Sequence, residues 1–504
     1  MRNRGIIEAF EAAPTWGKLL FITALGFILR LIVVARAIAF SPDGFAYMSV
    51  AKSFSEGGVA GLFDRIWPPL YPLAISLANF FFGDYETSGR VVSLFFGALA
   101  VPLTFFLGKL LYDETVPPFY KGRSGGITIG LWAAFFSAVH LYMVRYSGDV
   151  LTEGIYYSVA TAVIYCGFKA IRGKSAGYAV LTGVFSALAY LTRPEGAAFI
   201  GIMSLWLVFY EVKEFRRVWP ARLRLTALMW AAFIVPAAPY IFFIHGTEAE
   251  LSISGKMSPG SFVAHVERGL EGFRNLSDFA SYVPEAFTIP FFLFFLFFLW
   301  SRVKKGFSAG ERYGLSIMGF FWILYLLVNP RRRYFVELMP LALVFSAEGF
   351  CLFKERVKVS VSQKKAAIIV SMTVFLILAV EIPLGVIAIE SHRLRDKQAG
   401  LYIKTHYNGS SIAVIGEKPI AAFYSGGRFI RIPNEGINIA DVALTVSFEE
   451  TVFLAVYESR IKESVKDFEA SRARLEMIKS FENEKDRAFI VYKVRKENGP
   501  AAFP

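Results

Sequence analysis

The sequence contains few charged residues and almost no cysteine for its length. Only 19% of its 504 residues are charged, whereas 55% are hydrophobic, a combination that is rare among soluble globular domains. The two cysteines, Cys166 and Cys351, both lie inside apolar runs, which argues against a disulfide framework. The sequence also lacks the internal repeat that is common in secondary transporters. The composition therefore predicts an integral membrane protein.

Apolar runs of nearly twenty residues recur along the first three quarters of the chain. Each approaches the length that a helix needs to cross about 30 Å of hydrocarbon at about 1.5 Å per residue. A shorter segment, 68–83, is interrupted by three prolines and is predicted to be a re-entrant or interfacial helix. We predict about eleven transmembrane helices, at 17–39, 89–111, 127–146, 151–171, 175–192, 196–211, 225–244, 284–300, 312–328, 334–353 and 366–389.

Lysine and arginine collect in alternate loops. Five successive connections are basic, and the loops between them, around 40–88, 147–152 and 246–283, are acidic or mixed. The positive-inside rule places the N-terminus in the cytoplasm and these three loops outside it. Counting 68–83 as a twelfth span would move every later loop to the opposite side of the membrane and break the positive-inside rule. The net charge of +13 thus reflects topology and predicts no nucleic-acid partner.

From about residue 390 the charge increases and short β-type runs alternate with helical patterns. These runs are 411–415, 451–457 and 487–494. Such alternation is typical of a small α/β domain, which the loop count places outside the cytoplasm. We therefore predict a membrane domain at 1–389, with its first external loop at 40–88, and an extracytoplasmic α/β domain at 390–504.

Two external turns carry acids that suit either chemistry or helix capping. Asp43 follows the first span, where partial desolvation can raise the pKa of a carboxylate and suit it to act as a general base. Asp149 and Glu153 would share a helix face if the next span begins early, and such a pair can hold a divalent cation or orient an acceptor. All three acids would also serve as ordinary residues of a first helical turn.

Arginines oppose the charge rule on the same side of the membrane. Arg193 stands beside Pro194, which breaks the helix and leaves backbone donors at a helix start. Arg331, Arg332 and Arg333 separate the ninth and tenth predicted spans. Guanidinium groups bind phosphate through paired charge-assisted hydrogen bonds, and they also attract anionic lipid headgroups. Both interpretations stay open.

Three further polar residues lie at helix ends or within a span. Arg90 opens the second predicted span, and His245 closes the seventh; both are lesser candidates for a site. Arg30 lies inside the first span, where an unpaired charge is costly. We therefore expect Arg30 to contact an acid on a neighbouring helix.

The motifs are specific when they are taken together in order. Asp43 and Tyr47 are followed by 51–54, 68–73, 82–84, Gly89 with Arg90, 151–153, 183–195 ending in Leu-Thr-Arg-Pro-Glu, and Arg333 with Tyr334 and Pro340. In this arrangement the chain resembles the GT-C glycosyltransferases of the protein O-mannosyltransferase-like group, which includes the lipid A aminoarabinose transferases. The resemblance covers nearly the whole membrane part and, loosely, the C-terminal domain.

The resemblance implies an inverting transfer of a sugar from a polyprenyl-phosphate donor, at the outer face of the cell membrane, to a lipid, glycan or protein. Asp43 would be the catalytic base, and cations would stabilise the leaving phosphate. The candidates for phosphate binding are Arg90, Arg193, Arg331, Arg332 and Arg333. The candidates for an acceptor or second acidic site are Tyr47, Asp149, Glu153 and Glu195.

One departure from the resemblance limits what it implies. Many relatives carry Asp-Glu in the first loop, whereas here Asp43 is followed by Gly44. A metal site built from that pair is therefore not implied, although a divalent cation stays an open alternative. An inactive GT-C-like scaffold and a polytopic transporter are the other functional alternatives. The apolar middles of the predicted helices argue against the transporter, which would need polar or broken helices there.

Overall fold

The structure is a computed structural model. It describes residues 13–113, 125–210, 215–247, 273–328 except 304, 330–407, and 411–495 apart from 434, 440, 443–445, 447–449, 467 and 483–487. The chain divides into two compact units. The first unit contains residues up to Arg36 and Tyr47–Ile387, and the second contains Ala37–Ala46 and the chain from Ala388 onward. Most of the predicted external loop at 246–283 lies outside the described residues.

The first unit is helical, and most of its helices are strongly apolar. They are α1 (Thr15–Arg36), α2 (Pro42–Gly57, which begins in the second unit), α3 (Val59–Leu62), α4 (Leu70–Phe82), α5 (Tyr85–Asp113), α6 (Gly126–Val139), α7 (Leu141–Tyr146), α8 (Glu153–Gly173), α9 (Ala176–Thr192), α10 (Ala198–Phe209), α11 (Phe215–Thr247), α12 (Phe273–Phe287), α13 (Ile289–Val303), α14 (Ala309–Val328), α15 (Arg332–Val336), α16 (Met339–Ser360) and α17 (Gln363–Gly385). A short 3-10 helix, Pro194–Ala197, connects α9 to α10.

Every predicted span overlaps one of these helices, so the helical membrane class is confirmed. Five of the described helices, α1, α5, α8, α11 and α17, are long and apolar enough to cross a membrane. The pair α12 and α13 provides a sixth span if it crosses as one unit, although it bends by 104°. Shorter apolar helices, such as α9 with 17 residues, account for other predicted spans. The total of about eleven crossings stays a prediction.

The predicted interfacial segment at 68–83 forms α4, a helix of 13 residues. This is shorter than the roughly 20 residues that a spanning helix needs. Phe80 and Phe81, near its C-terminal end, are 87% and 82% exposed. Such exposed aromatic side chains suit contact with lipid or with the membrane interface.

Helix α8 lies in the interior of the first unit. Nearly all of its side chains are buried, including Glu153 at its first position. Gly154 allows α8 to approach α5, because a Cβ at this position would lie 2.4 Å from the Ser93 carbonyl oxygen. Small residues permit such close helix contacts within membranes. The close packing of α8 against α5 therefore holds the carboxylate of Glu153 inside the protein and away from lipid.

Arg30 is fully buried in α1. Among the described residues it pairs with no acid, so the expectation of an acidic partner is wrong. Its guanidinium donates to the carbonyl oxygens of Ser137 (3.1 Å) and Ala138 (3.2 Å), in the last turn of α6, and to that of Gly26 (2.9 Å). The last carbonyls of a helix have no partner within the helix and carry its negative dipole end. Arg30 thus finds its counter-charge in a helix terminus instead of a carboxylate.

The second unit is a small α/β domain, as predicted for its fold class. It contains α18 (Leu394–His406), β1 (Ser411–Gly416), α19 (Ile420–Ser425), β2 (Arg428–Arg431), β3 (Glu450–Tyr457), α20 (Ile461–Ser464), α21 (Phe468–Ser471), β4 (Leu475–Phe481) and β5 (Phe489–Val494). The strand order is β2-β1-β3-β5-β4. Strands β1, β2 and β3 are parallel, and β5 pairs antiparallel with both β3 and β4.

Both faces of this sheet are covered. Alternate residues of β1 and β3, such as Ile415 and Leu454, pack against Ile461 and Val465 on one face. Their neighbours pack on the other face against residues of α18 and α19. Because successive strand side chains point to opposite faces, the apolar runs that predicted strands also show why the sheet needs a layer on each side. Strands β2 and β4 were not predicted from the sequence.

Candidate active site

Three glutamates and two arginines meet where several helices of the first unit begin or end. Glu153 begins α8, Arg193 and Glu195 lie between α9 and α10, Arg333 lies in α15, and Glu337 precedes α16. We call these five residues the carboxylate–arginine cluster. Its three carboxylates are held mainly by Arg193.

Arg193 is the centre of the cluster because each of its nitrogens meets a different carboxylate. Its Nε is 2.7 Å from Glu195 Oε1, its Nη2 is 2.8 Å from Glu337 Oε1, and its Nη1 is 3.3 Å from Glu153 Oε1. The planar fork of an arginine presents several donors in fixed directions. Arg193 therefore joins three separate helix ends through one buried side chain, which is 9% exposed.

The local sequence produces the turn between α9 and α10 that carries Arg193. Helix α9 ends at Thr192, and Arg193 has an extended backbone with φ −152°. Pro194 then begins the 3-10 helix, where its fixed φ is favourable and its missing N–H is not needed. A Cβ at Gly196 would lie 2.2 Å from the carbonyl carbon of Ala189. The Arg-Pro-Glu-Gly order thus directs Arg193 and Glu195 into the same buried space.

Arg333 forms the second cationic contact of the cluster. Its Nε donates to Glu153 Oε1, the same oxygen that Arg193 approaches. Its side chain is 28% exposed, three times as much as that of Arg193. Within the described chain, Glu153 Oε2 is buried without a hydrogen-bond partner. Arg333 is therefore the more accessible guanidinium of the cluster.

Tyrosines surround the buried charges. Tyr325 donates its hydroxyl to Glu337 Oε2 over 2.9 Å. The guanidinium carbon of Arg193 lies 5.4 Å from the ring centre of Tyr334 and 5.8 Å from that of Tyr156. Burial alone would lower the pKa of Arg193, but the carboxylates of Glu337, Glu195 and Glu153 raise it well above its ordinary value. Arg193 stays charged under all ordinary conditions.

The candidate base Asp43 and Tyr47 lie one turn apart on α2. Asp43 is in the first turn of this helix and belongs to the second unit. Tyr47 belongs to the first unit and is buried, with ring centres 4.9 Å from Trp67 and 5.1 Å from Tyr71. Tyr47 also acts electrostatically on Arg193, so it lies beside the carboxylate–arginine cluster.

The early helix start that would place Asp149 and Glu153 on one helix face does not occur. Helix α8 begins at Glu153, so Asp149 stays in the preceding turn and the two acids do not share a helix face. The Asp149 side chain accepts a hydrogen bond from the Val150 N–H at 2.7 Å. Short acidic side chains compete with helix formation through such local bonds. Asp149 is buried and still close enough to interact electrostatically with Tyr71.

The other candidate residues from the sequence lie outside the cluster. Arg90, in α5, pairs with Glu86 at 2.6 Å. Arg332 pairs with Glu285, and its guanidinium carbon lies 4.5 Å from the ring centre of Tyr142. Arg331 is exposed. His245 lies in the last turn of α11.

Two residues of the site were missed by the sequence interpretation, the cluster member Glu337 and its hydrogen-bond partner Tyr325. Glu337 falls within the predicted span 334–353, and Tyr325 within 312–328, so both were treated as parts of apolar helices. The acid at Glu337 was the available signal, because charged residues inside an apolar run usually mark a polar interior.

The described residues offer no group of three His, Cys, Asp or Glu side chains that could hold a metal ion. The cluster carboxylates instead face guanidinium groups. The cluster can therefore bind anions through its cations and accept protons or hydroxyl groups through its carboxylates.

Comparison with solved structures shows that the chain has a known fold. ArnT from Cupriavidus metallidurans in the apo state matches with a TM-score of 0.65 at 12% identity, over 95% of this chain and 98% of that one. The same protein bound to undecaprenyl phosphate matches with a TM-score of 0.59 at 12% identity, over the same shares of the two chains. The chain has the GT-C fold.

A third structure extends the likeness to archaea. The Archaeoglobus fulgidus oligosaccharyltransferase in its apo form has a TM-score of 0.57 at 12% identity, over 88% of this chain and 70% of that one. No family model matches the sequence, and no curated protein matches it either. The fold is therefore shown by structural likeness alone. The long apolar helices show that the chain is a membrane protein.

Proposed function

We propose that the chain is an inverting glycosyltransferase. It moves a hexosyl or pentosyl group from a polyprenyl-phosphate donor to a lipid, glycan or protein acceptor. One observation carries this proposal: a buried cluster of arginines and carboxylates, with one accessible guanidinium, occurs in a fold that in ArnT binds undecaprenyl phosphate. A guanidinium and an anionic lipid phosphate are complementary in charge and geometry.

In the proposed reaction Asp43 is the catalytic base. Its carboxylate takes the proton of the acceptor hydroxyl while the hydroxyl oxygen attacks the anomeric carbon of the sugar. The bond between that carbon and the donor phosphate oxygen breaks, and the lipid phosphate leaves with the electron pair. Attack from the face opposite the leaving group inverts the anomeric configuration. Tyr47, Asp149, Glu153 and Glu195 are the candidates for acceptor contacts.

Within the cluster we assign different tasks to the two arginines. Arg193, which is saturated by three carboxylates, keeps the helix ends in place. Arg333, which is partly exposed, binds the donor phosphate and stabilises the charge that develops on it. Arg90 and Arg332 are further candidates for the phosphate, and the exposed Arg331 is assigned no contact with it. The proposal includes a cytoplasmic N-terminus and an extracytoplasmic second unit, because the loop charges favour that orientation.

The function is tested by incubating membrane vesicles with a panel of radiolabelled polyprenyl-phosphate sugars. We expect transfer of label to an endogenous or added acceptor from at least one hexosyl or pentosyl donor. Right-side-out vesicles, which expose the outer face, should transfer label to an added impermeant acceptor, and inside-out vesicles should not. Absence of label from every donor, with folded protein in the membrane, would favour an inactive scaffold.

Arg333→Gln is expected to weaken binding of undecaprenyl phosphate by about tenfold to a hundredfold, since a hydrogen bond to a charged group contributes about 1.5–3 kcal/mol. The measurement is titration of purified protein with undecaprenyl phosphate, with Arg331→Gln as the comparison in the same loop. Affinity should change little in Arg331→Gln, because that side chain is exposed. Equal losses in both variants would instead indicate a general effect of loop charge.

A further inference from the structure

We infer that the second unit positions the catalytic base Asp43, so that the rate of sugar transfer depends on contacts made by the C-terminal domain. The inference rests on the proposed function. It is carried by the ten residues Ala37–Ala46, which contain Asp43 and form one compact unit with the chain from Ala388 onward.

The backbone just before Asp43 is held by hydrogen bonds from the C-terminal domain. Ile38 donates its N–H to the carbonyl of Ile389 over 3.2 Å. Lys397 Nζ donates to the Ile38 carbonyl over 2.8 Å, and Arg393 Nη1 donates to the Phe40 carbonyl over 3.4 Å. Two cations from the start of α18 thus fix two carbonyl groups that lie three and five residues before Asp43.

Aromatic side chains hold the segment on both sides of Asp43. Phe40 is fully buried, with its ring centre 4.7 Å from that of Phe423 and 5.8 Å from that of Tyr424. Phe45, two residues after Asp43, has its ring centre 6.0 Å from that of Phe429 and 6.4 Å from that of Phe423. Such ring pairs stabilise the packing beyond the effect of their buried area.

The two cations are themselves fixed. Arg393 Nε lies 2.5 Å from Glu390 Oε2, and Lys397 Nζ lies 4.6 Å from the ring centre of Tyr424. A cation over an aromatic face is attracted by the electrons of the ring. Lys397 therefore lies between the Tyr424 ring and the Ile38 carbonyl, and its loss would release the segment without removing any large side chain from the core.

The segment leads directly into the helix that carries the base. Pro42 is the first residue of α2, and Asp43 is the second. Proline fixes its own φ and restricts the residue before it, so the orientation of Phe40 and Ser41 is transmitted to the first turn of α2. A displacement of about 1 Å in a reacting group can lower a rate about a hundredfold. Anchoring this segment is therefore an effective way to position Asp43.

A positioning role is tested by Lys397→Ala in the full-length protein. We expect kcat for sugar transfer to fall about tenfold or more, with the donor KM unchanged within about twofold. Amide hydrogen exchange of residues 37–46 should become faster. Lys397→Arg, which keeps a donor near the Ile38 carbonyl, should restore most of the rate. Lys404→Ala, at an exposed position of the same helix, is the matched control and should behave as the wild type.

Phe423→Ala should give the same pattern, because Phe423 contacts rings on both sides of Asp43. If this variant does not fold, the result for Lys397→Ala alone tests the positioning role. A wild-type kcat and unchanged exchange at 37–46 in Lys397→Ala would overturn the inference, as would an equal loss of kcat in Lys404→Ala. Failure of the proposed function is distinguishable, since the wild type would then transfer no sugar, while faster exchange at 37–46 would still show the anchoring contact.

Discussion

Asp43→Asn is expected to lower the rate of sugar transfer by about a hundredfold to ten-thousandfold, which is the usual contribution of a general base. Asparagine has nearly the size of aspartate but cannot accept the proton of the acceptor hydroxyl. Donor binding should persist, because phosphate binding is assigned to arginines. The measurement is kcat with the labelled donor, together with the affinity for undecaprenyl phosphate.

The fold should tolerate this substitution. Asp43 lies in the first turn of α2, where loss of its charge costs about 0.3–1 kcal/mol of helix-dipole interaction. Glu56→Gln is the matched control, because Glu56 is an exposed acid on the same helix that pairs with Lys52. It should retain the wild-type rate. An Asp43→Asn enzyme with full turnover would remove Asp43 from the role of base.

Arg193→Ala is expected to have the largest effect on stability. It would remove the shared counter-charge of Glu153 and Glu337, which are fully buried, and of Glu195, which is 20% exposed. Breaking a buried ion pair by removing one partner costs about 3–5 kcal/mol, and here one guanidinium serves three carboxylates. We expect a strongly reduced yield of folded protein and a lower Tm in detergent. Arg193→Lys should recover only part of the lost Tm, since a single ammonium group cannot reproduce the planar fork of a guanidinium.

Arg332→Ala is the control for this prediction. Arg332 and Glu285 are 38% and 40% exposed, and exposed ion pairs contribute about 0–1 kcal/mol. Its Tm should change little. Adding Glu337→Gln to Arg193→Ala should recover part of the lost Tm, because one uncompensated carboxylate is removed. A stable Arg193→Ala protein with only a weakened affinity for undecaprenyl phosphate would show instead that Arg193 binds the donor directly.

Local sequence signals determined the helices and most of the candidate residues. Apolar length depends only on neighbouring residues, and each predicted span therefore overlaps at least one helix, although the spans at 127–146, 284–300 and 334–353 are each divided between two helices. Acids and arginines at helix breaks were recognisable because such residues are costly near lipid. Glu337 was missed because it stands inside an apolar run, where its partner Arg193 is distant in sequence.

Only the tertiary structure decided which charges meet and which unit holds the base. Arg193 pairs with Glu153 and Glu337 because three helix ends converge, and no local pattern encodes that convergence. Lys397 reaches the Ile38 carbonyl across 359 positions of sequence. The sequence by itself set the elements and their polar ends, through short-range hydrophobicity and backbone chemistry. The pairing of buried charges depended on packing, because the partners are brought together only when the apolar helices have assembled.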